Sequence, residues 1–122
     1  YKYAVDESIS RYSGCNSKEM ERILLNKIYT LKEENIKSSG YVVDTLEASL
    51  WCLFNSNNYK SAVLKAVNLG GDADTIAAIT GSMAGIYYGY DSIPKNWINC
   101  LLNKKLLDRT FENFVKKIEG DE

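Results

Sequence analysis

Histidine is absent from the 122 residues of this chain, and proline occurs once. The lack of histidine excludes the commonest general base near neutral pH and the commonest metal ligand. The three cysteines, Cys15, Cys52 and Cys100, are odd in number and widely spaced, which excludes a zinc ribbon and predicts reduced, mostly structural thiols in a cytoplasmic protein. Any catalysis here must therefore use carboxylates, hydroxyls or a metal ion.

An excess of charge of one sign is also lacking, because 15 basic residues stand against 16 acidic ones. The two lysine pairs, at 104–105 and 116–117, are too short for a basic stripe, so we expect no nucleic acid partner. The apolar stretch at residues 76–88, which is free of charges and amides, is far below the roughly 20 apolar residues that span a bilayer, so we expect no membrane partner. No signal peptide is visible, and a start at Tyr1 rather than Met indicates a cut chain.

Apolar residues recur at intervals of three and four, which predicts helices, and no alternating strand pattern is present. We expect a single all-α domain over residues 1–122. The predicted helices are residues 1–12, a segment from Asn16 to about Leu31, a segment capped by Asp44 and Glu47, and residues 59–69, 73–88, 94–103 and 105–118. Their ends are marked by polar N-caps such as Asn16 and Asp72 and by glycines such as Gly89.

Five of the predicted helices carry a stripe of residues expected to face inward. These are Met20, Ile23, Leu24, Ile28 and Leu31; Leu46, Leu50, Leu53 and Phe54; Ala62, Val63, Ala66 and Val67; Trp97, Ile98, Leu101 and Leu102; and Leu107, Phe111, Phe114 and Ile118.

The candidate functional residues lie in the stretch LGGDADTIAAITGSMAGIYYG, residues 69–89. In one interpretation Asp72 is a helix N-cap and Asp74 complements the helix dipole. In the other, Asp72, Asp74 and Thr75 hold a cation, because two close carboxylates repel each other and one acid already suffices as a cap. All three offer the hard oxygen donors that Mg²⁺, Mn²⁺ or Ca²⁺ prefers, with water, substrate or other residues completing the shell.

Small residues follow at every fourth position of the same helix, at Ala77, Gly81, Gly85 and Gly89. They create a face without side chains, against which another helix can pack closely. Such a face holds the acidic helix start in a fixed position. A second copy of the chain is an alternative occupant, and would make the protein a homo-oligomer.

The sequence GGDADTIAAITGSMAGIYYG resembles the C-terminal signature of the ADP-ribosylglycohydrolase family, G-G-D-x-D-T followed by small residues and Y-Y-G. SGYVVDTLEASLWCLFNS upstream and SIPKNWI downstream are also similar to the family, so the resemblance covers about residues 38–97. It implies a compact multi-helix orthogonal bundle, present here in part. It also implies an enzyme that uses two Mg²⁺ or Mn²⁺ ions to hydrolyse the bond between the ribose of an ADP-ribosyl group and its acceptor.

Carried over by resemblance, Asp72, Asp74 and Thr75 are metal ligands, and Asp72 also contacts the attacking water. Ser39, Gly40 and Tyr41 match the loop that lies along the ADP-ribose; the alternative is a simple turn with Tyr41 in the core.

The family's second acidic segment, of the T-D-D or S-D-D type, is not found in this sequence. The chain is therefore interpreted as the C-terminal part of such an enzyme, active with an N-terminal half supplied in cis or in trans. The expected substrate is an ADP-ribosylated protein or a related ADP-ribose conjugate. The alternative is a non-enzymatic structural or ADP-ribose-binding module, as the family's lens crystallins are.

Overall fold

The computed structural model describes Glu7, Ile23 and residues 28–120. The predicted helix over residues 1–12 lies outside the described residues apart from Glu7, as do Cys15 and most of the predicted segment from Asn16. Of the stripe predicted there, Ile23 and Ile28 are buried. Every regular element within residues 28–120 is helical, which confirms the all-α prediction.

Two compact units divide the chain, Tyr1–Ser92 and Ile93–Glu122. The first contains 3-10 turns at Ile28–Thr30, Glu33–Asn35 and Tyr90–Ser92, and three longer helices, α1 (Val42–Phe54), α2 (Tyr59–Asn68) and α3 (Ala73–Tyr88). The second contains α4 (Lys95–Asn99) and α5 (Lys104–Glu119). Within the described part of the chain, no helix is both long and apolar enough to cross a bilayer. The expectation of one domain over residues 1–122 stays a prediction.

The two ends of α2 follow the local signals in the sequence. At its start, the Asn58 side chain accepts a hydrogen bond of 2.8 Å from the Ser61 backbone N–H, as a helix N-cap does. At its end, Gly70 and Gly71 have positive φ values of 72° and 59°. Gly71 has a second constraint, because a Cβ atom there would lie 2.1 Å from the Ser38 carbonyl oxygen. The turn between α2 and α3 is thus fixed against the segment that precedes α1.

The glycine face of α3 packs against α2, as the spacing predicted. A Cβ atom on Gly81 would lie 3.3 Å from the Tyr59 Oη atom and 3.6 Å from Val63 Cγ2, and one on Gly85 would lie 3.9 Å from the Tyr59 ring. Gly89 does not belong to this contact, since nothing lies within 4 Å of its Cβ position. The close contact is made within the chain, between neighbouring helices.

The core of the first unit lies where α3 meets both α1 and α2. Its buried members come from all three helices and from the segment before α1: Ile28, Ile36, Ala48, Trp51, Cys52, Ala66 and Ile76. Two of its polar side chains make hydrogen bonds inside the protein. The Trp51 indole N–H donates to the Leu31 carbonyl at 2.7 Å, and the Ser49 hydroxyl donates to the Ile76 carbonyl at 3.3 Å.

The predicted start of α1 was wrong, and its predicted buried face was wrong in part. The N-cap is Tyr41 rather than Asp44, whose carboxylate instead accepts a hydrogen bond from the Ser39 hydroxyl. Of the predicted apolar residues, Leu50 is half-buried and packs against the core, whereas Phe54 is 37% exposed. The buried face is mostly small or polar, and consists of Thr45, Glu47, Ala48, Ser49, Trp51 and Cys52. Hydrogen bonds from Ser49 and Trp51 into the core allow these polar groups to be buried.

The inward stripes predicted for the last two helices were also wrong in part. Trp97 and Ile98 are half-buried, but Leu101 and Leu102 are exposed. The four apolar residues predicted to be buried on α5 are exposed as well: Leu107, Phe111, Phe114 and Ile118. A unit of two helices has too little volume to enclose such a stripe. The helix α4 also ends four residues earlier than predicted, and Asn103 takes a left-handed φ of 54° before α5.

Candidate functional site

The candidate site lies where the turn between α2 and α3 meets the segment before α1. Ser38 makes this junction, because its hydroxyl donates to the Gly70 carbonyl and its own carbonyl accepts from the Asp72 backbone N–H at 3.3 Å. The two groups of candidate residues, 39–41 and 72–75, are thereby brought close together.

Asp72 occupies the N-cap position of α3, but its side chain does not cap the helix. Its Oδ1 atom instead accepts a hydrogen bond of 3.0 Å from the Thr75 hydroxyl. Its Oδ2 atom lies 3.3 Å from the point that a Cβ atom on Gly40 would occupy. The position predicted for Asp72 is therefore correct, while the carboxylate is directed toward Thr75 and Gly40 rather than the helix backbone.

Asp74 and Thr75 lie in the first turn of α3 and are exposed, whereas Asp72 is half-buried. The Thr75 hydroxyl points its proton at Asp72, which leaves its oxygen lone pairs available to a cation. The donor set of two carboxylates and a hydroxyl fits a hard divalent ion. Among the described residues, no group of three or more acids, cysteines or histidines is placed to hold a metal ion.

Gly40 lies beside Asp72, Tyr41 is the next residue along the chain, and the Ser39 hydroxyl bonds to α1. Because Gly40 has no side chain, the Asp72 carboxylate can lie this close to its backbone. Tyr41 is 49% exposed and is not a core residue, which excludes the simple alternative that its ring fills the interior. The Ser39 hydroxyl donates to Asp44 Oδ2 at 2.7 Å, and its oxygen accepts from the Tyr41 backbone N–H at 3.2 Å.

Sequence reasoning missed three residues that hold this site together. Ser38 connects the two loops, Asp44 binds the Ser39 hydroxyl, and the Thr45 hydroxyl donates to the Ser39 carbonyl at 3.1 Å. Ser38 and Gly70 are 32 positions apart, so no local pattern reveals their contact. Asp44 did carry a signal, but as an acid near a helix start it was interpreted as an N-cap.

The described cysteines lie outside this site. Cys52 and Cys100 are both free thiols. Burial raises the pKa of the Cys52 thiol to about 12, with the Lys65 charge opposing the shift and Glu33 adding to it. A thiol that stays protonated at neutral pH is a poor nucleophile, which agrees with the predicted structural role.

Comparison with known proteins supports the family that the sequence resembles, along most of the chain. The model of the family described as ADP-ribosylglycohydrolase matches residues 2–122. The chain is 48% identical over 81 residues to the ADP-ribosylarginine hydrolase Tri1 of Serratia proteamaculans, covering 66% of this chain and 22% of that protein.

Two further relatives are more distant. The ADP-ribosyl-[dinitrogen reductase] glycohydrolase of Rhodospirillum rubrum is 45% identical over 65 residues, which cover 53% of this chain and 22% of that protein. The human ADP-ribosylhydrolase ARH3 is 28% identical over 88 residues, covering 61% of this chain and 24% of that protein. The matched region spans about a quarter or less of each of these relatives. With the family model matching nearly its whole length, this chain belongs to the ADP-ribosylglycohydrolase family.

Proposed function

We propose that this chain is part of a metal-dependent hydrolase that cleaves the glycosidic bond between an ADP-ribosyl group and its acceptor. The observation that carries the proposal is the Asp72 carboxylate, which is not used to cap α3 and lies beside Gly40 and the Thr75 hydroxyl. Membership of the family and the activities of the named relatives support it.

The residues for a metal site in this proposal are Asp72, Asp74 and Thr75, and the ion is Mg²⁺ or Mn²⁺. When bound, such ions orient the ribose hydroxyls and activate the attacking water. The Asp72 carboxylate orients that water through a hydrogen bond, and its negative charge stabilises the oxocarbenium-like transition state of glycosidic cleavage. Three oxygens do not complete a six-coordinate shell, so water, substrate hydroxyls and residues supplied by an N-terminal half, in cis or in trans, provide the remaining ligands.

Gly40 and Tyr41 bind the ADP-ribosyl group in this proposal. The missing side chain of Gly40 leaves room for a sugar or phosphate next to Asp72, and the exposed Tyr41 ring can stack on an aromatic or sugar face. The proposed acceptor is arginine, because the Serratia relative is named for the ADP-ribosylarginine that it hydrolyses.

Release of ADP-ribose from ADP-ribosylated arginine by the full-length protein tests this function. We expect Asp72→Asn to reduce the rate by at least about 100-fold, since even residues that only support metal ligands contribute 10–100-fold. The variant retains an amide oxygen for the Thr75 hydroxyl, so its unfolding midpoint should stay close to wild type.

Asp91→Asn is the matched control, because Asp91 is an exposed acid in the Tyr90–Ser92 turn that follows α3. It should leave the rate unchanged. An unchanged rate in Asp72→Asn would contradict the proposal. A wild-type protein that binds ADP-ribose without releasing it from arginine would favour the alternative, a non-enzymatic binding module.

A further inference from the structure

The segment from Ser38 to Tyr41 is fixed at two points by hydrogen bonds to different elements. Ser38 fixes it to the turn between α2 and α3, through its hydroxyl to Gly70 and its carbonyl to the Asp72 N–H. Thr45 fixes it to α1, by donating to the Ser39 carbonyl at 3.1 Å. The path of the backbone at Gly40, beside the Asp72 carboxylate, depends on both attachments.

Asp44 adds a fourth hydrogen bond, which determines what the Ser39 hydroxyl can do. The single hydroxyl proton of Ser39 is donated to Asp44 Oδ2 at 2.7 Å, in a part-buried position. Hydrogen bonds from a hydroxyl to a carboxylate are short and about twice as strong as neutral ones. With the proton committed to Asp44, the lone pairs of Ser39 Oγ face the Tyr41 N–H, 3.2 Å away. The Ser39 side chain thus links the Tyr41 backbone to Asp44 at the start of α1.

We propose that Asp44 is a positioning residue for the ADP-ribosyl group, acting through Ser39 to hold Gly40 and Tyr41 beside Asp72. In this arrangement Ser39 supports the loop and does not itself donate its hydroxyl proton to the ligand. The inference rests on the proposed function, because it concerns how the same site receives its substrate.

A different role for Asp44 would produce a different pattern of mutant effects. An acid in the first turn of a helix also stabilises that helix through the helix dipole. That effect is independent of Ser39. The changes in binding free energy caused by removing Asp44 and by removing Ser39 would then add in the double variant. In the proposed arrangement the two residues act through one hydrogen bond, and removing the second partner costs little once the first is gone.

The test is a double-mutant cycle on the dissociation constant of ADP-ribose, measured by calorimetry on the full-length protein. We expect Asp44→Ala and Ser39→Ala each to raise this constant about tenfold, the size typical of a hydrogen bond to a charged group. The double variant should match the single ones. Asp44→Asn, whose amide oxygen still accepts from Ser39, should stay within about threefold of wild type, and Asp91→Ala should not differ from it.

A second readout is independent of the ligand. Hydrogen exchange at the Tyr41 amide should become faster in Asp44→Ala than in Asp44→Asn, since only the former releases the Ser39 hydroxyl. Effects of Asp44→Ala and Ser39→Ala that multiply in the double variant, or no effect of Asp44→Ala at all, would overturn the inference while leaving the proposed function standing. A wild-type protein that neither binds ADP-ribose nor releases it from arginine would overturn both.

Discussion

Asp72 lies at the predicted N-cap position of α3, but its carboxylate does not cap the helix. The carboxylate instead accepts a hydrogen bond from the Thr75 hydroxyl and lies next to Gly40. The GGDADT sequence was enough to identify this residue, because its glycines and acids are adjacent in the chain. The contribution of Ser38 was not predictable in this way, since it depends on a contact across 32 positions.

Gly71 is the residue whose replacement should most disturb the junction between the two loops. A Cβ atom in Gly71→Ala would approach the Ser38 carbonyl oxygen to 2.1 Å at a φ of +59°. The left-handed backbone alone costs about 1–2 kcal/mol for a residue with a Cβ atom, and the overlap adds to it. We expect the free energy of unfolding, measured by urea denaturation, to fall by more than this amount.

Gly70→Ala is the matched control, because Gly70 has a φ of +72° and nothing within 4 Å of its Cβ position. Gly70→Ala should lower the free energy of unfolding only by the cost of the left-handed backbone conformation. Equal destabilisation by the two substitutions would contradict the close contact between Gly71 and Ser38.

Cys52 should make stability depend on pH in the alkaline range. Its pKa is raised from 9.0 to about 12 in the folded protein. As pH rises above 9, the unfolded chain loses the thiol proton first, so the free energy of unfolding falls by about 1.4 kcal/mol per pH unit until the folded thiol also ionises. Cys52→Ala should remove this part of the slope in urea denaturation curves measured between about pH 8 and pH 10.

Cys100→Ala provides the comparison, because Cys100 is exposed. It should retain the wild-type slope. Identical pH dependence in Cys52→Ala and Cys100→Ala would show that Cys52 is not the titrating group.

At the scale of helices and turns, the ends of α3 were predicted better than the buried face of α1. Asp72 and Gly89 lie directly at the two ends of α3, so a local sequence pattern locates them well. The buried face of α1 depends instead on partners elsewhere in the chain. Ser49 is buried because it reaches a carbonyl of α3, and this contact is not visible in the periodicity of α1 itself.

The contact between α2 and α3 predicts different outcomes for two glycines on one face. Gly85→Ala should stabilise the protein by up to about 1 kcal/mol, because alanine favours a helix and its Cβ atom would meet Tyr59 at an ordinary 3.9 Å. Gly81→Ala should gain less, because its Cβ atom would lie only 3.3 Å from the Tyr59 Oη atom. Urea denaturation midpoints measure both. A larger gain at Gly81 than at Gly85 would contradict this packing.

At the scale of the whole molecule, the matched region spans about a quarter or less of the length of the named relatives. The apolar stripe of α5 is exposed. Its amphipathic pattern predicts a buried face but does not indicate which segment would bury it. Family and helical fold were therefore predictable from this sequence, whereas the complete site was not.

The most direct test of metal-dependent hydrolysis is ADP-ribose release by the full-length protein after removal of divalent ions with EDTA and stepwise return of Mn²⁺ or Mg²⁺. We expect release from ADP-ribosylated arginine to stop on chelation and to recover with added metal in the wild type. Asp74→Asn, which loses one proposed ligand, should not recover at the same metal concentration. Release that persists after chelation, or that recovers equally in wild type and Asp74→Asn, would contradict the account.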